Sequence, residues 1–204
     1  MQPSKIKLTE EGVQLYWMKR AARDGMRATG HSRSSLSEQD ERYRIRKKFI
    51  FTYCPRNLRT LDYGCGIGRY VEEFKYYLGV DFTDSLLDIA KTKYPKARFL
   101  LLHNSHLDCD LGFGPELIFT SCVLQHNPDD VVLKILESLT PIVKGHITFG
   151  LYENTETQRG HMRGRTGKEY VEMVSAYFKV LKWETHSHRM GEEHAFTLIE
   201  GHCK

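Results

Sequence analysis

The stretch Leu61-Asp62-Tyr63-Gly64-Cys65-Gly66-Ile67-Gly68 sets three glycines at alternate positions directly after a short apolar run. The apolar run predicts a buried strand, and glycines in that rhythm end it in a tight turn that side chains with a Cβ enter only with strain. A strand closed by such a turn belongs in an open α/β sheet, where ligands bind outside the carboxyl ends of the strands. The spacing also separates ligand classes. A dinucleotide fingerprint reads G-x-G-x-x-G, with the pyrophosphate on the next helix N-terminus; here the third glycine is Gly68 and Arg69 holds the later position. Asp62, two residues before Gly64, would repel a pyrophosphate but suits a ligand bearing an ammonium group.

Downstream, short apolar runs alternate with helical periodicity, which predicts a parallel sheet with crossover helices. Strands are expected at 58–62, 78–81, 97–102, 116–121 and 145–152. A helix striped by Val71, Phe74 and Leu78 should follow the glycine turn, and a second, capped by Thr83 or Asp84, should carry Leu86, Ile89, Ala90 and Tyr94 as far as Pro95. Asn127 as N-cap with Pro128 at the first helical position opens a helix burying Val131, Val132, Ile135, Leu136 and Leu139. Thr166-Gly167-Lys168-Glu169 is a capping box ahead of Tyr170, Val171, Val174 and Phe178. Residues 179–185 and 195–200, joined by a turn at 189–192, read as a closing antiparallel hairpin. The expected fold is therefore α/β: a doubly wound, Rossmann-like, mostly parallel sheet of seven strands. At 204 residues the chain makes one domain. Residues 58–204 hold the sheet, and 1–57 form a helical cover with helices at 15–22 and from Ser37-Glu38-Gln39-Asp40 to Tyr53.

From Leu61 to Gly68 the chain resembles the class I S-adenosylmethionine-dependent methyltransferases, whose first motif is hydrophobic-Asp-x-Gly-x-Gly-x-Gly. The resemblance extends to Gly79-Val80-Asp81-Phe82, where that family carries an acid gripping both ribose hydroxyls, a task suited to a carboxylate that accepts two hydrogen bonds. It continues in Ser121-Cys122-Val123-Leu124-Gln125-His126, beside the methionine end of the cofactor in that family. About residues 58–152 are covered, and Tyr16-Trp17 through Gly30-His31-Ser32 is similar, more weakly, to the helical cover of some members. The resemblance implies S-adenosylmethionine as methyl donor and S-adenosylhomocysteine as product, held by Trp17, Asp62, Gly64, Cys65, Gly66, Gly68, Asp81, Phe82, Ser121 and Cys122. The family's acid after the third strand, near the adenine amine, is missing. Leu102-His103-Asn104-Ser105-His106 stands there instead and leaves Asn104 or Ser105 for that contact.

A reaction of this kind passes a methyl group in line from a sulfonium to a nucleophile, so the protein positions the partners and takes up a proton where the acceptor requires it. His126, at the end of the fourth strand, is the candidate base; a helix cap or a cofactor contact accounts for it equally well. Tyr152 and Glu153, after the fifth strand, are second candidates. Residues 157–168 carry four cations and no acid, with glycines at 160, 164 and 167. A solvated basic loop is the simpler account of them. The sharper one is that Arg163 and Arg165, with Arg27 and His31 of the cover, bind an anionic acceptor, since the arginine fork fits carboxylate and phosphate.

Composition excludes several alternatives. Hydrophobic residues at 40% and charged ones at 27% support a core, and a formal charge of +4 does not demand nucleic acid. The basic surplus lies instead in the cover, where ten Lys/Arg between Trp17 and Lys48 face four acids. Five scattered cysteines form no C-x-x-C and read as reduced thiols. No Cys/His spacing of a metal site occurs, His186, His188 and His194 read as surface residues of a strand and turn, and no metal is expected. No apolar run approaches the roughly 20 residues of a membrane helix, and without a signal-peptide core at the N-terminus the expected location is cytoplasmic. Asn127-Pro128-Asp129-Asp130 lacks the second proline and the aromatic of DNA amine methylation, and Cys122 follows Ser121 rather than a proline, against cytosine C5 chemistry. The expected partner is a small acceptor with an oxygen or nitrogen nucleophile, with nucleic acid not required and the oligomeric state open. Two other readings stand beside it: a nucleic-acid-directed methyltransferase or binding module using the basic N-terminal region, and a catalytically silent S-adenosylmethionine-binding protein.

Overall fold

The structure, a computed structural model, describes residues 9–29, 34–107, 111–156, 158–159, 162–190 and 192–204. Two helices come first, α1 (Glu10–Asp24) and α2 (Leu36–Tyr53). β1 (Arg59–Tyr63), β2 (Tyr76–Asp81), α3 (Asp84–Lys93), β3 (Arg98–Leu101), β4 (Leu117–Ser121), α4 (Asp129–Leu139) and β5 (His146–Asn154) then alternate. A small hairpin, β6 (Gln158–Arg159) with β7 (Met162–Arg163), precedes α5 (Gly167–Ser175), β8 (Phe178–Met190) and β9 (Glu192–Cys203). The main sheet has seven strands in the order β3-β2-β1-β4-β5-β9-β8, parallel through β5 and antiparallel from β5 to β9 and β8. This is the expected architecture.

A parallel sheet is buried on both faces, and period-two alternation decides which side chain goes where. In β4, Ile118 joins Leu61, Leu78 and Val80 beneath the apolar stripe of α4 and beneath Tyr170 and Val174 of α5. Leu117 and Phe119 point the opposite way, into a cluster with Ile50 of α2, Cys54 at its C-terminal cap, and Tyr70 and Phe74.

The second face departs from expectation. Between Gly68 and β2 there is only a single 3-10 turn, Val71–Glu73, and Leu78 lies inside β2. The stretch from Arg69 to Lys75 is under two helical turns long, too short for the crossover helix that such connections normally carry. Aromatic rings fill the gap: Tyr70 and Phe74 meet Phe119 edge-on at 5.0 and 5.2 Å, and Phe51 of α2 meets Phe74 at 5.3 Å. The N-terminal region thus supplies the missing layer.

Other differences are local. The cap of α2 is Ser35 in a capping box with Glu38, two residues before the expected Ser37. The N-cap of α4 is Pro128, and the Asn127 side chain instead donates to the Val123 carbonyl. The capping box at Thr166 and Glu169 forms as expected. β8 and β9 run well past the expected hairpin because their polar residues also find partners. His186 stacks on Tyr53 at 3.6 Å and His188 on Phe49 at 4.3 Å, so these histidines brace α2 rather than line the surface. Among the described residues no helix is long and apolar enough to cross a membrane, and no group of His, Cys, Asp and Glu could hold a metal ion.

Candidate functional site

The glycine loop is tied to the neighbouring strand before it meets any ligand. The amides of Gly64 and Cys65 both donate to the Val80 carbonyl, at 2.8 and 3.0 Å. Gly64 adopts φ +73°, and a Cβ there would fall 2.6 Å from Val123; at Gly66, φ +53°, it would fall 2.8 Å from Thr29. Only glycine lets both the loop after β4 and the N-terminal cover approach this closely.

Two carboxylates stand at the tips of β1 and β2 beside the loop. Asp81 accepts from the Gly66 amide through Oδ2 and from the Thr83 amide through Oδ1, both at 2.8 Å. Each oxygen keeps a second lone pair. Asp62 is 2% exposed and accepts from the Tyr77 hydroxyl at 2.7 Å. Burial pushes its carboxyl up to about 7, against that hydrogen bond and with the Asp81 charge adding to the rise.

These groups open on a cleft with about 790 Å³ of empty space, open solvent at its mouth included. Val13, Trp17 and Thr29 of the cover form one wall; Phe82, Thr83 and Leu86 form a second; Ser121, Cys122, Val123, His126 and Asn127 form a third. Arg69 clasps the cover to the loop, donating to Thr29 Oγ1 and Asp40 at 3.2 Å, with its guanidinium 4.0 Å from the centre of the Tyr43 ring. Cys122 takes φ +59°, left-handed for a residue with a Cβ, and its amide donates to the Tyr152 carbonyl. Such a conformation costs on the order of 1–3 kcal/mol and holds the turn after β4 in place.

Of the residues named from sequence, Trp17, Asp62, Gly64, Cys65, Gly66, Asp81, Phe82, Ser121, Cys122 and His126 line the cleft. Gly68 does not; it packs toward Val71, Tyr94 and Phe99. Asn104 is exposed, and Ser105 is buried with its amide and hydroxyl donating to Glu10 of α1 while its carbonyl accepts from the Tyr63 hydroxyl. A carboxylate does reach the loop after β3, but it comes from the cover.

His126 is buried, its ring edge-on to Trp17 at 5.1 Å and its Nε2 3.3 Å from the Gln125 amide nitrogen. Glu153 stands apart from the cleft lining: its carboxylate accepts from Thr120 Oγ1 and from the amides of Val123, Leu124 and Gln125, capping the turn that carries His126. Tyr152 is fully buried, with its hydroxyl 3.1 Å from His188 Nδ1.

The basic loop also differs from an open anion reader. Arg165 is 2% exposed, bonds Asp129 through Nε and Nη2 at 2.9 and 2.8 Å, and donates to the carbonyls of Leu124 and Asn127 at 3.0 and 2.7 Å. It staples the segment ahead of α5 to the start of α4 and the turn before it. Arg163, half-exposed, pairs with the other oxygen of Asp129 at 2.7 Å. Arg27 is exposed on the turn after α1, and His31 lies outside the described residues.

Sequence reasoning missed Tyr43, Arg46 and Tyr70. Arg46 sits in the inward stripe of α2 between Tyr43 and Ile50, with its guanidinium 4.8 Å from the Tyr43 ring centre and 5.1 Å from that of Tyr152. A cation at i+3 and an apolar residue at i+7 from an aromatic on a capped helix was the available signal.

No protein-family model matches this chain, and no curated protein matches it in sequence. Solved structures do. A SAM-dependent methyltransferase from Anabaena variabilis is 17% identical with a TM-score of 0.65, covering 99% of this chain and 100% of that one. Magnesium protoporphyrin IX methyltransferase from Synechocystis, solved with bound SAM, is 13% identical with a TM-score of 0.63, covering 93% and 96%. Phosphoethanolamine N-methyltransferase 1 from Haemonchus contortus, solved with phosphoethanolamine and S-adenosylhomocysteine, is 14% identical with a TM-score of 0.67; the match covers 96% of this chain and 50% of that one. The chain has the fold of the class I S-adenosylmethionine-dependent methyltransferases.

Proposed function

We propose that this chain is an S-adenosylmethionine-dependent methyltransferase acting on the oxygen or nitrogen of a small acceptor. The observation that carries the reading is the pair of buried carboxylates flanking the glycine loop. Two like charges there oppose a pyrophosphate and favour a ligand with an ammonium group and a diol. The residues fit such a cofactor. Asp62, with one hydrogen bond, would take the ammonium; the spare lone pairs of Asp81 would take the ribose hydroxyls; Phe82, Leu86 and Val13 offer apolar surface for a base. Ser105 is already engaged with Glu10, so the adenine amine is assigned no side chain after β3.

The cofactor supplies an activated methyl group. The chain's own part is to seat both partners, exclude water beneath Trp17 and accept a proton. His126 is the candidate base, held at the cleft wall by Trp17 and Gln125 on a turn that Glu153 caps. Glu153 and Tyr152 then act as supports rather than bases. The small acceptor is favoured because the cover occupies the face above the loop, and because structural neighbours are methyltransferases named for phosphoethanolamine and magnesium protoporphyrin IX. Free thiols at Cys54, Cys65, Cys122 and Cys203 agree with a reducing, cytoplasmic location.

Calorimetric titration with S-adenosylhomocysteine tests the cofactor assignment, and His126→Gln tests the base. Once an acceptor is found by screening, that variant should turn over about 10²–10⁴-fold more slowly with S-adenosylhomocysteine affinity within about twofold of the parent. Unchanged turnover would remove His126 from the chemistry.

A further inference from the structure

Arg46 is a half-buried cation in a corner of aromatic rings beneath the cover. Its Nε is buried without a hydrogen-bond partner, and among the described residues no carboxylate pairs with the guanidinium. Its neighbours are aromatic or neutral. Tyr43 and Tyr152 flank it, and Tyr70 and Cys122 lie within its electrostatic reach. Burial, with the Arg46 charge adding to it, pushes His194 down to about 4, so that ring is uncharged at neutral pH; it stacks flat on Tyr152 at 5.2 Å. The acids around the corner are committed elsewhere, Glu153 to Thr120 and three amides and Glu192 to Asn154. A guanidinium partly withdrawn from water without a counter-ion is costly, and the charge of an anionic ligand would offset that cost.

The corner communicates with the cleft. Tyr43, Tyr70 and Cys122 line the cleft and also surround Arg46. Tyr70 is fixed there by a 2.8 Å hydrogen bond with Ser121. A molecule anchored at Arg46 would therefore extend toward the turn that carries Cys122 and, beyond it, His126.

We infer that Arg46 is the anion anchor of the acceptor site and that the acceptor is a small molecule bearing an oxyanion, a carboxylate or a phosphate. This rests on the methyltransferase reading and names the substrate class of that same site, placing recognition on α2 rather than on the basic loop. Arginine's planar fork suits either group.

The test uses the whole chain loaded with S-adenosylhomocysteine and titrated with benzoate, inorganic phosphate and uncharged benzamide, for the parent, R46K and R46Q. The inference expects saturable binding of benzoate or phosphate at least tenfold tighter than benzamide, a loss of at least tenfold in R46Q and an intermediate loss in R46K. Preference between the two anions reads out carboxylate against phosphate. Anion binding that survives R46Q, or no discrimination between benzoate and benzamide, overturns it. Ligand-free R46M provides a second readout, with a Tm within a few degrees of the parent or above it; a variant that fails to fold would make Arg46 a structural post and overturn the inference as well. Absence of S-adenosylhomocysteine binding would instead remove the methyltransferase reading, and the anion titrations of the unloaded protein would still decide the role of Arg46.

Discussion

Two arginines of this chain, Arg165 buried and Arg46 half-buried, are treated in opposite ways. Arg165 bonds both an acid and two carbonyls, and every contact joins one part of the fold to another. Arg46 has tyrosine faces and, among the described residues, no carboxylate paired with it. The acids divide similarly: Glu153 accepts from four donors, whereas Asp62, among the described residues, accepts from the hydroxyl of Tyr77. A charge whose partners all lie within the chain belongs to stability, and one left short belongs to a ligand. Removing the first kind should weaken folding, and removing the second should weaken binding while sparing the fold.

The largest expected effect is on stability. Arg165→Ala should cost about 3 kcal/mol, the low end for breaking a buried pair because Asp129 keeps Arg163 and contact with water. That lowers the melting temperature by roughly 10 °C in a domain of this size. Arg46→Met in the same thermal melt should stay within about 1 kcal/mol, since the lost cation–π contacts are offset by relief of an unpaired charge. Equal losses in the two variants would break the comparison.

Asp81 belongs to both groups, anchoring Gly66 and Thr83 while keeping lone pairs free. Asp81→Ala should weaken S-adenosylhomocysteine about 100-fold by calorimetry, the equivalent of two hydrogen bonds to a charged group. Retained affinity would contradict the ribose assignment.

Asp62 predicts a smaller, pH-dependent effect. Its folded pKa of about 7 lies above the unfolded value near 4. Between those limits the folded state binds more protons than the unfolded one, so this carboxyl makes the ligand-free protein less stable as pH rises through the window. An ammonium ligand needs the ionised form, so affinity should fall up to about tenfold per pH unit below 7, with proton release on binding near neutrality. Asp62→Asn should flatten both dependences, and a pH-independent parent would remove the assignment.

The smallest effect sharpens the comparison from its exposed edge. Arg163→Ala, which removes a solvent-screened ion pair, should change stability by less than about 1 kcal/mol in chemical denaturation. A larger loss would show that the basic loop depends on both of its arginines.

The succession of strands along the chain and the carboxylates at the tips of β1 and β2 were legible because they rest on short-range pattern: apolar runs, alternate glycines, an acid at a strand end. The features that stayed hidden depend on partners far away in the chain. Glu10 meets Ser105 across 95 positions, and nothing in 102–106 announces that its carboxylate arrives from α1. The expected helix striped by Val71 and Phe74 has no room before β2, a length constraint that apolar periodicity alone does not register. β8 and β9 outran their apolar pattern because His186 and His188 found rings on α2. Counting cations pointed to residues 157–168, yet Arg165 is consumed by Asp129, and Arg46 on α2, among the described residues, has no carboxylate paired with it. Charge counts say where cations are dense and nothing about which of them the fold has already used.

The most direct measurement of the central claim is a calorimetric titration of the intact chain with S-adenosylhomocysteine at neutral pH, with NAD as the competing ligand. The account predicts one saturable site for S-adenosylhomocysteine, none for NAD, and loss of that site in Asp81→Ala. Failure to bind S-adenosylhomocysteine, or saturable binding of NAD in its place, would contradict it.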